Sequence, residues 1–219
     1  MVNLTNGKSG KFITIEGIEG VGKSTNIRFI RDYLENAKIE HIQTREPGGT
    51  KIAECIRGLL LEEHQEAMDS TAELLLVFAA RAQHLNTVIR PALDRGCWVV
   101  CDRFTDATYA YQGGGRLLDS SKIALLESMV QNSLRPDLTL ILDLDPVRGL
   151  QRASDRGELD RFEKERLDFF QRVRSSYLQI AAGEPERCKV IDASLSIDEV
   201  RAATLGAVTA LCDQVADPQ

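Results

Sequence analysis

The stretch Lys11-Phe12-Ile13-Thr14-Ile15-Glu16-Gly17-Ile18-Glu19-Gly20-Val21-Gly22-Lys23-Ser24-Thr25 decides the fold. Its first part, through Glu16, is a short apolar run with β-branched residues, which suits a buried strand. Its second part, Gly17 to Ser24, reads G-x-x-x-x-G-K-S. Beyond it, Ile27, Ile30 and Leu34 recur at spacings of three and four, the period of a helix. A bare glycine-rich turn could also join a strand to a helix. The full motif in this strand–loop–helix context points instead to a phosphate-binding loop.

The physics of such a loop is specific. Gly17, Gly20 and Gly22 admit backbone angles closed to other residues, so amide N–H groups can turn inward around a polyphosphate. The helix beginning near Lys23 adds unpaired N–H groups and the positive end of its dipole. Lys23 is expected to reach the β- and γ-phosphates, and the Ser24 hydroxyl to hold Mg²⁺. The donor-binding set is therefore Gly17, Ile18, Glu19, Gly20, Val21, Gly22, Lys23, Ser24 and Thr25, with a nucleoside triphosphate as ligand.

Composition narrows the setting. The chain has 219 residues and ordinary globular proportions of apolar and charged side chains. A net charge of −6 provides no global field for nucleic acid, so any positive site is local. Cys55, Cys97, Cys101, Cys188 and Cys212 form no C-x-x-C pair and have no histidine partners at metal spacing, which suits a reducing compartment. Cys97 and Cys101 flank an apolar strand and read as core thiols. No apolar run is long enough to span a bilayer, and Met1 to Gly10 is polar, without a signal-peptide core. The expectation is a cytoplasmic protein with a frayed amino-terminal tail.

Further strands are predicted at Glu40–Thr44, Cys97–Cys101, Leu138–Leu144 and Cys188–Asp192. Helical patterns separate them. Ser70-Thr71-Ala72-Glu73 reads as a capping box opening a helix that Pro91 stops, and Ser196 to Glu199 as a second capping box. Gln112 to Arg116, with three glycines, reads as a flexible loop. Arg152, Arg156, Arg161 and Arg166 lie in a charged segment, which on charge alone could equally be a solvated helix. The predicted architecture is a single α/β P-loop domain over 1–219. It has three layers, a five-stranded parallel sheet with helices on both faces, and an Arg-rich lid at about 148–163.

Ligands of such sheets bind beyond the carboxyl ends of the strands. The phosphate loop, Arg45-Glu46, Asp102-Arg103 and Asp143 to Asp145 all follow strand ends. The γ-phosphoryl acceptor distinguishes three chemistries. Water makes the protein an NTPase, such as a nucleotide switch, a hydroxyl makes it a nucleoside or shikimate-like kinase, and a phosphate makes it a nucleoside monophosphate kinase. A hydroxyl needs a carboxylate base, for which Glu46 and Asp102 are candidates. A phosphate acceptor needs arginines to bring two polyanions together. Arg45 and Arg103 could clamp such an acceptor, and Arg152 and Arg156 could close over the transferring group. Asp102 occupies a Walker-B-like position for Mg²⁺. Phe78 and Arg81 share a helix face, where a ring could stack on a base and the guanidinium bond its edge. No N-K-x-D guanine-reading motif accompanies the loop, which argues against a GTPase switch.

Five stretches together resemble one family. They are Phe12 to Thr25, Thr44 to Thr50 (T-R-E-P-G-G-T), Phe78 to His84 (F-A-A-R-A-Q-H), Asp102 to Gly115 (D-R-F-T-D-A-T-Y-A-Y-Q-G-G-G) and Arg156 to Phe162 (R-G-E-L-D-R-F). In order and spacing they are similar to thymidylate kinase of the bacterial type. The resemblance implies ATP + dTMP → ADP + dTDP with Mg²⁺, held by Ser24 and Asp102, in a cytoplasmic homodimer. It implies that Lys23, Asp102, Arg103, Arg152 and Arg156 serve catalysis. Glu19 is implied to contact the deoxyribose 3′-hydroxyl, and Arg45, Arg57 and Arg103 to surround the acceptor phosphate near Pro47. Arg81 is implied to bond the thymine edge, with Phe78, Thr108 and Gln112 nearby, and Tyr111 to occupy the space of a ribose 2′-hydroxyl. Two positions depart from the family pattern. Its usual aromatic, four residues before the base-reading arginine, is here Val77, and Ala107 replaces a common serine.

Overall fold

A computed structural model describes residues 10–155 and 160–216. Five strands form one sheet: β1 (Phe12–Glu16), β2 (His41–Arg45), β3 (Trp98–Asp102), β4 (Leu138–Asp143) and β5 (Cys188–Asp192). Their order is β2-β3-β1-β4-β5 and every neighbouring pair is parallel. The phosphate-loop strand is central, with Ile15 in register with Asp102 on one side and Leu140 on the other.

Both faces of the sheet are apolar, as crossover helices on both sides require. Ile13, Ile15 and Val100 pack with α1 (Lys23–Asn36), α8 (Leu167–Gly183) and α9 (Ile197–Ala216). Their neighbours Phe12, Val99 and Cys101 face the other way, onto Leu85, Ile89 and Ala92. The single-residue alternation along β1 and β3 thus feeds two separate cores. The remaining helices are α2 (Lys51–Leu61), α3 (Ser70–His84), α4 (Arg90–Asp94), α5 (Thr105–Thr108), α6 (Ser120–Gln131) and α7 (Pro146–Ser154).

Three local expectations are corrected. Pro91 does not stop the third helix. A π-helical turn at Leu85–Ile89 shifts the hydrogen-bond register, and Pro91 lands in the first turn of α4, where its missing N–H is not needed. Ser70 does not cap α3. Asp69 accepts from the N–H groups of Thr71 and Ala72, and Glu73 is buried in side-chain contacts of its own. Gln112 to Arg116 is not an open loop. Tyr109–Gly115 forms a second π-helical segment packed against α8, and Gly114 and Gly115 permit it because a Cβ there would collide with Ser176 and Phe169. The box at Ser196 forms as expected, with Glu199 accepting from the Ser196 N–H at 3.0 Å.

Candidate active site

The phosphate loop curls between β1 and α1 with Gly17, Gly20 and Gly22 at positive φ. Gly20 shows why no side chain fits. Its φ is +73°, and a Cβ would drive into the backbone of Gly149 on α7. Ile18 and Val21 send their side chains into the core, so what they offer a ligand is backbone N–H. Lys23 reaches back over the loop, its Nζ donating to the Ile18 carbonyl at 3.0 Å and the Gly17 carbonyl at 3.3 Å. Burial, and then the charge of Arg103, lower its pKa to about 8.

Asp102 ends β3 beside this loop. Its Oδ1 is buried with no hydrogen-bond partner among the described residues, a rare arrangement that calls for an explanation. Arg103 follows at φ +68°, a left-handed conformation uncommon for a side chain of its size. Its N–H still bonds the Ile15 carbonyl, and the next N–H, of Phe104, donates to the buried Glu16 carboxylate at 2.7 Å. The turn aims the Arg103 guanidinium at Glu19, 2.8 Å away, and over the Tyr111 ring. The Tyr111 hydroxyl donates to Glu19 as well. Glu19, Arg103 and Tyr111, far apart in the chain, thus form one cluster.

These residues line a cleft of about 270 Å³ together with Ser24, Arg45, Pro47, Arg57, Arg81, Thr108 and Gln112. Arg57 donates to the Pro47 carbonyl at 2.9 Å, and Arg45 is paired with Glu54. Burial, with the charges of Arg45 and then Arg103 adding to it, lowers the pKa of Arg57. Like charges gathered in this way mark a site for an anion. At the far end Arg81 is buried, donating to Glu46 at 2.7 Å, to Thr108 at 2.9 Å and to the Phe104 carbonyl at 3.1 Å.

Not every expected residue arrives. Phe78 does not reach the cleft. It packs with Leu74 and Ile123 and lies against the Arg81 guanidinium, while Val77 lines the cleft in its place. Adjacent helical positions differ by about 100°, so only one can face the ligand. Ala107 forms apolar wall beside Thr108. Arg152 is exposed on the last turn of α7 and is not among the lining residues, Thr25 is half-buried on α1, and Arg156 lies outside the described residues.

Some residues of the site were not singled out from the sequence. Phe162, in the quoted R-G-E-L-D-R-F stretch, covers the cleft with its ring against Tyr111. Tyr177 donates to Glu16 at 2.8 Å from α8, a partnership that no local pattern signals. Glu46 is tied by both Arg81 and His84, so it is occupied as an acceptor and poorly placed to serve as a base.

The family model described as thymidylate kinase matches residues 15–204. The chain belongs to the thymidylate kinase family. A thymidylate kinase of Chromohalobacter salexigens is 60% identical over 203 residues, covering 91% of this chain and 95% of that one. One of Hahella chejuensis is 57% identical over 196 residues, covering 90% and 94%. The crystal structure of thymidylate kinase from Ehrlichia chaffeensis superposes with a TM-score of 0.73 at 34% identity, covering 93% of this chain and 99% of that one. As a member of the family, this chain is a phosphotransferase of the nucleoside monophosphate kinase kind.

Proposed function

We propose that this chain carries the γ-phosphoryl group of ATP to the phosphate of dTMP, giving ADP and dTDP, with the residues of the cleft in defined roles. The observation that carries the reading is the gathering of Arg45, Arg57 and Arg103 beside Lys23 and the phosphate loop. A phosphate monoester is mostly dianionic near neutral pH and needs no base. Its repulsion from ATP is what must be overcome, and guanidinium groups do that. The nucleoside-kinase alternative needs an available carboxylate; Glu46 is already engaged, and in this reading Asp102 serves Mg²⁺.

In this reading the loop N–H groups and Lys23 take the donor phosphates. Arg45, Arg57 and Arg103 take the acceptor phosphate, with Pro47 shaping that end. Glu19, held by Arg103 and Tyr111, meets the 3′-hydroxyl, and Tyr111 fills the space a 2′-hydroxyl needs. The base lies against Val77, Arg81, Thr108 and Gln112. Arg152 and Arg156 approach the transferring group from the lid. Mg²⁺ fits the orphaned Asp102 oxygen and the Ser24 hydroxyl, and when bound neutralises charge on the donor phosphates.

The same reading makes the chain a cytoplasmic homodimer. All five cysteines are free, and no helix among the described residues is long and apolar enough to cross a membrane. The neighbouring helices α3 and α6 leave Leu75, Leu125 and Met129 exposed, an apolar surface that a second copy would cover.

The test is an acceptor panel with ATP and Mg²⁺. ADP should form with dTMP, less well with rTMP, and not with thymidine. Turnover of thymidine without dTMP would move the enzyme to the nucleoside kinases, and acceptor-independent hydrolysis to the switches.

A further inference from the structure

Glu73 is the buried acidic residue of the first turn of α3, and its carboxylate is the centre of a junction. It accepts from Gln112 Nε2 at 2.8 Å, from Arg161 Nη2 at 2.7 Å, and from Arg116 Nε and Nη2 at 3.2 Å. A carboxylate between two guanidinium groups only accepts. The Gln112 atom against it is therefore the amide nitrogen, which settles an orientation that rotation of the amide would otherwise leave open. The amide is planar, so Oε1 lies on the opposite side. Gln112 lines the cleft, and its Oε1 has no hydrogen-bond partner among the described residues.

We propose that Glu73 is a specificity-determining positioning residue. By holding the Gln112 amide nitrogen, it presents the amide oxygen to the cleft as an acceptor beside the guanidinium donors of Arg81. An acceptor next to a donor is the complement of a base edge with an N–H beside a carbonyl, as at N3 and O4 of thymine. It opposes the acceptor and amino group that a cytosine ring presents at the same places. Were the amide free to rotate, its NH₂ could meet that acceptor instead, and part of the discrimination would disappear. The same carboxylate holds Arg161, whose Nε donates to the Leu60 carbonyl at 2.7 Å. The residue that orients the base reader therefore also fastens the segment carrying Phe162 over the cleft. This inference rests on the proposed placement of the acceptor base against Arg81 and Gln112.

The experiment compares dTMP with 5-methyl-dCMP, which share sugar, phosphate and methyl group and differ only at the base edge. The kcat/KM ratio is measured for the wild type, Glu73→Gln, Gln112→Leu and the double variant, with ATP as donor. Glu73→Gln should lower the preference for dTMP about ten-fold, the size of one hydrogen bond lost or misdirected. In the Gln112→Leu background the same change should move the ratio less than about two-fold, because Glu73 acts through the amide. An equal effect in both backgrounds, or an unaltered ratio in Glu73→Gln, overturns the proposal. So does an unaltered ratio in Gln112→Leu, with dTMP phosphorylation itself still standing. If Glu73→Gln does not fold cooperatively, Glu73→Asp carries the same cycle with the same criteria. A wild type inert toward dTMP would instead remove the proposed function, and that is seen before any variant is made.

Discussion

Arg81 and Arg152 are both arginines of a phosphotransferase, yet the fold treats them in opposite ways. Arg81 is 2% exposed on α3, its guanidinium bonded to Glu46, Thr108 and the Phe104 carbonyl and set against the rings of Phe78 and Phe104. Arg152 stands exposed on the last turn of α7. A group that reads a stable part of the substrate gains from being fixed before the ligand arrives, because no ordering entropy is then lost on binding. A group that meets charge appearing only as the phosphoryl group moves can come from a solvent-exposed segment, provided its interaction is strongest in the transition state. The end of the cleft that holds Arg81 is thus built as core, and the last turn of α7 that carries Arg152 as surface.

Five measurements test that contrast, in order of expected effect. Lys23→Ala should remove turnover, since no other ammonium among the described residues lines the cleft, and measurable activity would displace Lys23 from its role. Arg152→Ala should lower kcat on the order of 10²-fold or more while the dTMP KM changes little, the pattern of an interaction made in the transition state. A change confined to KM would place Arg152 with the binding group instead. Arg81→Ala should act in reverse. It should raise the dTMP KM by roughly 100-fold, and it should also destabilise the free protein by about 3 kcal/mol, because Glu46 stays buried without its guanidinium. Thermal unfolding of the apo variant separates the two effects.

The smallest effects concern protons. Lys23, held near 8 by burial and by Arg103, should regain its proton when a polyphosphate binds. Nucleotide binding at about pH 8 to 9 should then take up protons, visible as a dependence of the calorimetric enthalpy on buffer. Glu16 is pushed the other way, from 4.5 to about 7, by burial and by the neighbouring Asp106. Between those values the folded chain holds a proton that the unfolded chain has released. The folded state binds more protons there, so stability should fall as pH rises through that window and level off above it. Glu16→Gln should flatten the slope, and an unchanged slope would assign the pH dependence to other groups.

Much of the frame was legible in the residues. The apolar runs of β1, β3 and β4 and the glycine pattern between β1 and α1 set the fold class, because both carry their physics locally. The strand order was not legible, since nothing in β1 names β3 and β4 as its neighbours. The misreadings share one cause. Ser70 and Asp69 are both good caps and only packing chooses between them, while Val77 and Phe78 are adjacent on a helix and only packing decides which faces the cleft. Three consecutive glycines after Gln112 suggested looseness, yet α8 presses on Gly114 and Gly115 and leaves no room there for a side chain. Glu73 looked like half of a cap, and its burial depends on Arg116 and Arg161, distant partners that no window around α3 contains.

Gly20 and Gly149 meet backbone to backbone, without a side chain between them. The two positions consequently form a matched pair that cannot drift independently. Enlarging either one pries the first helix of the arginine-rich end away from the loop that grips the donor. A side chain placed at position 20 would have nowhere to lie unless α7 withdrew, so the loop's own cationic side chain is Lys23, and any arginine proposed for the transferring group has to come from outside the loop.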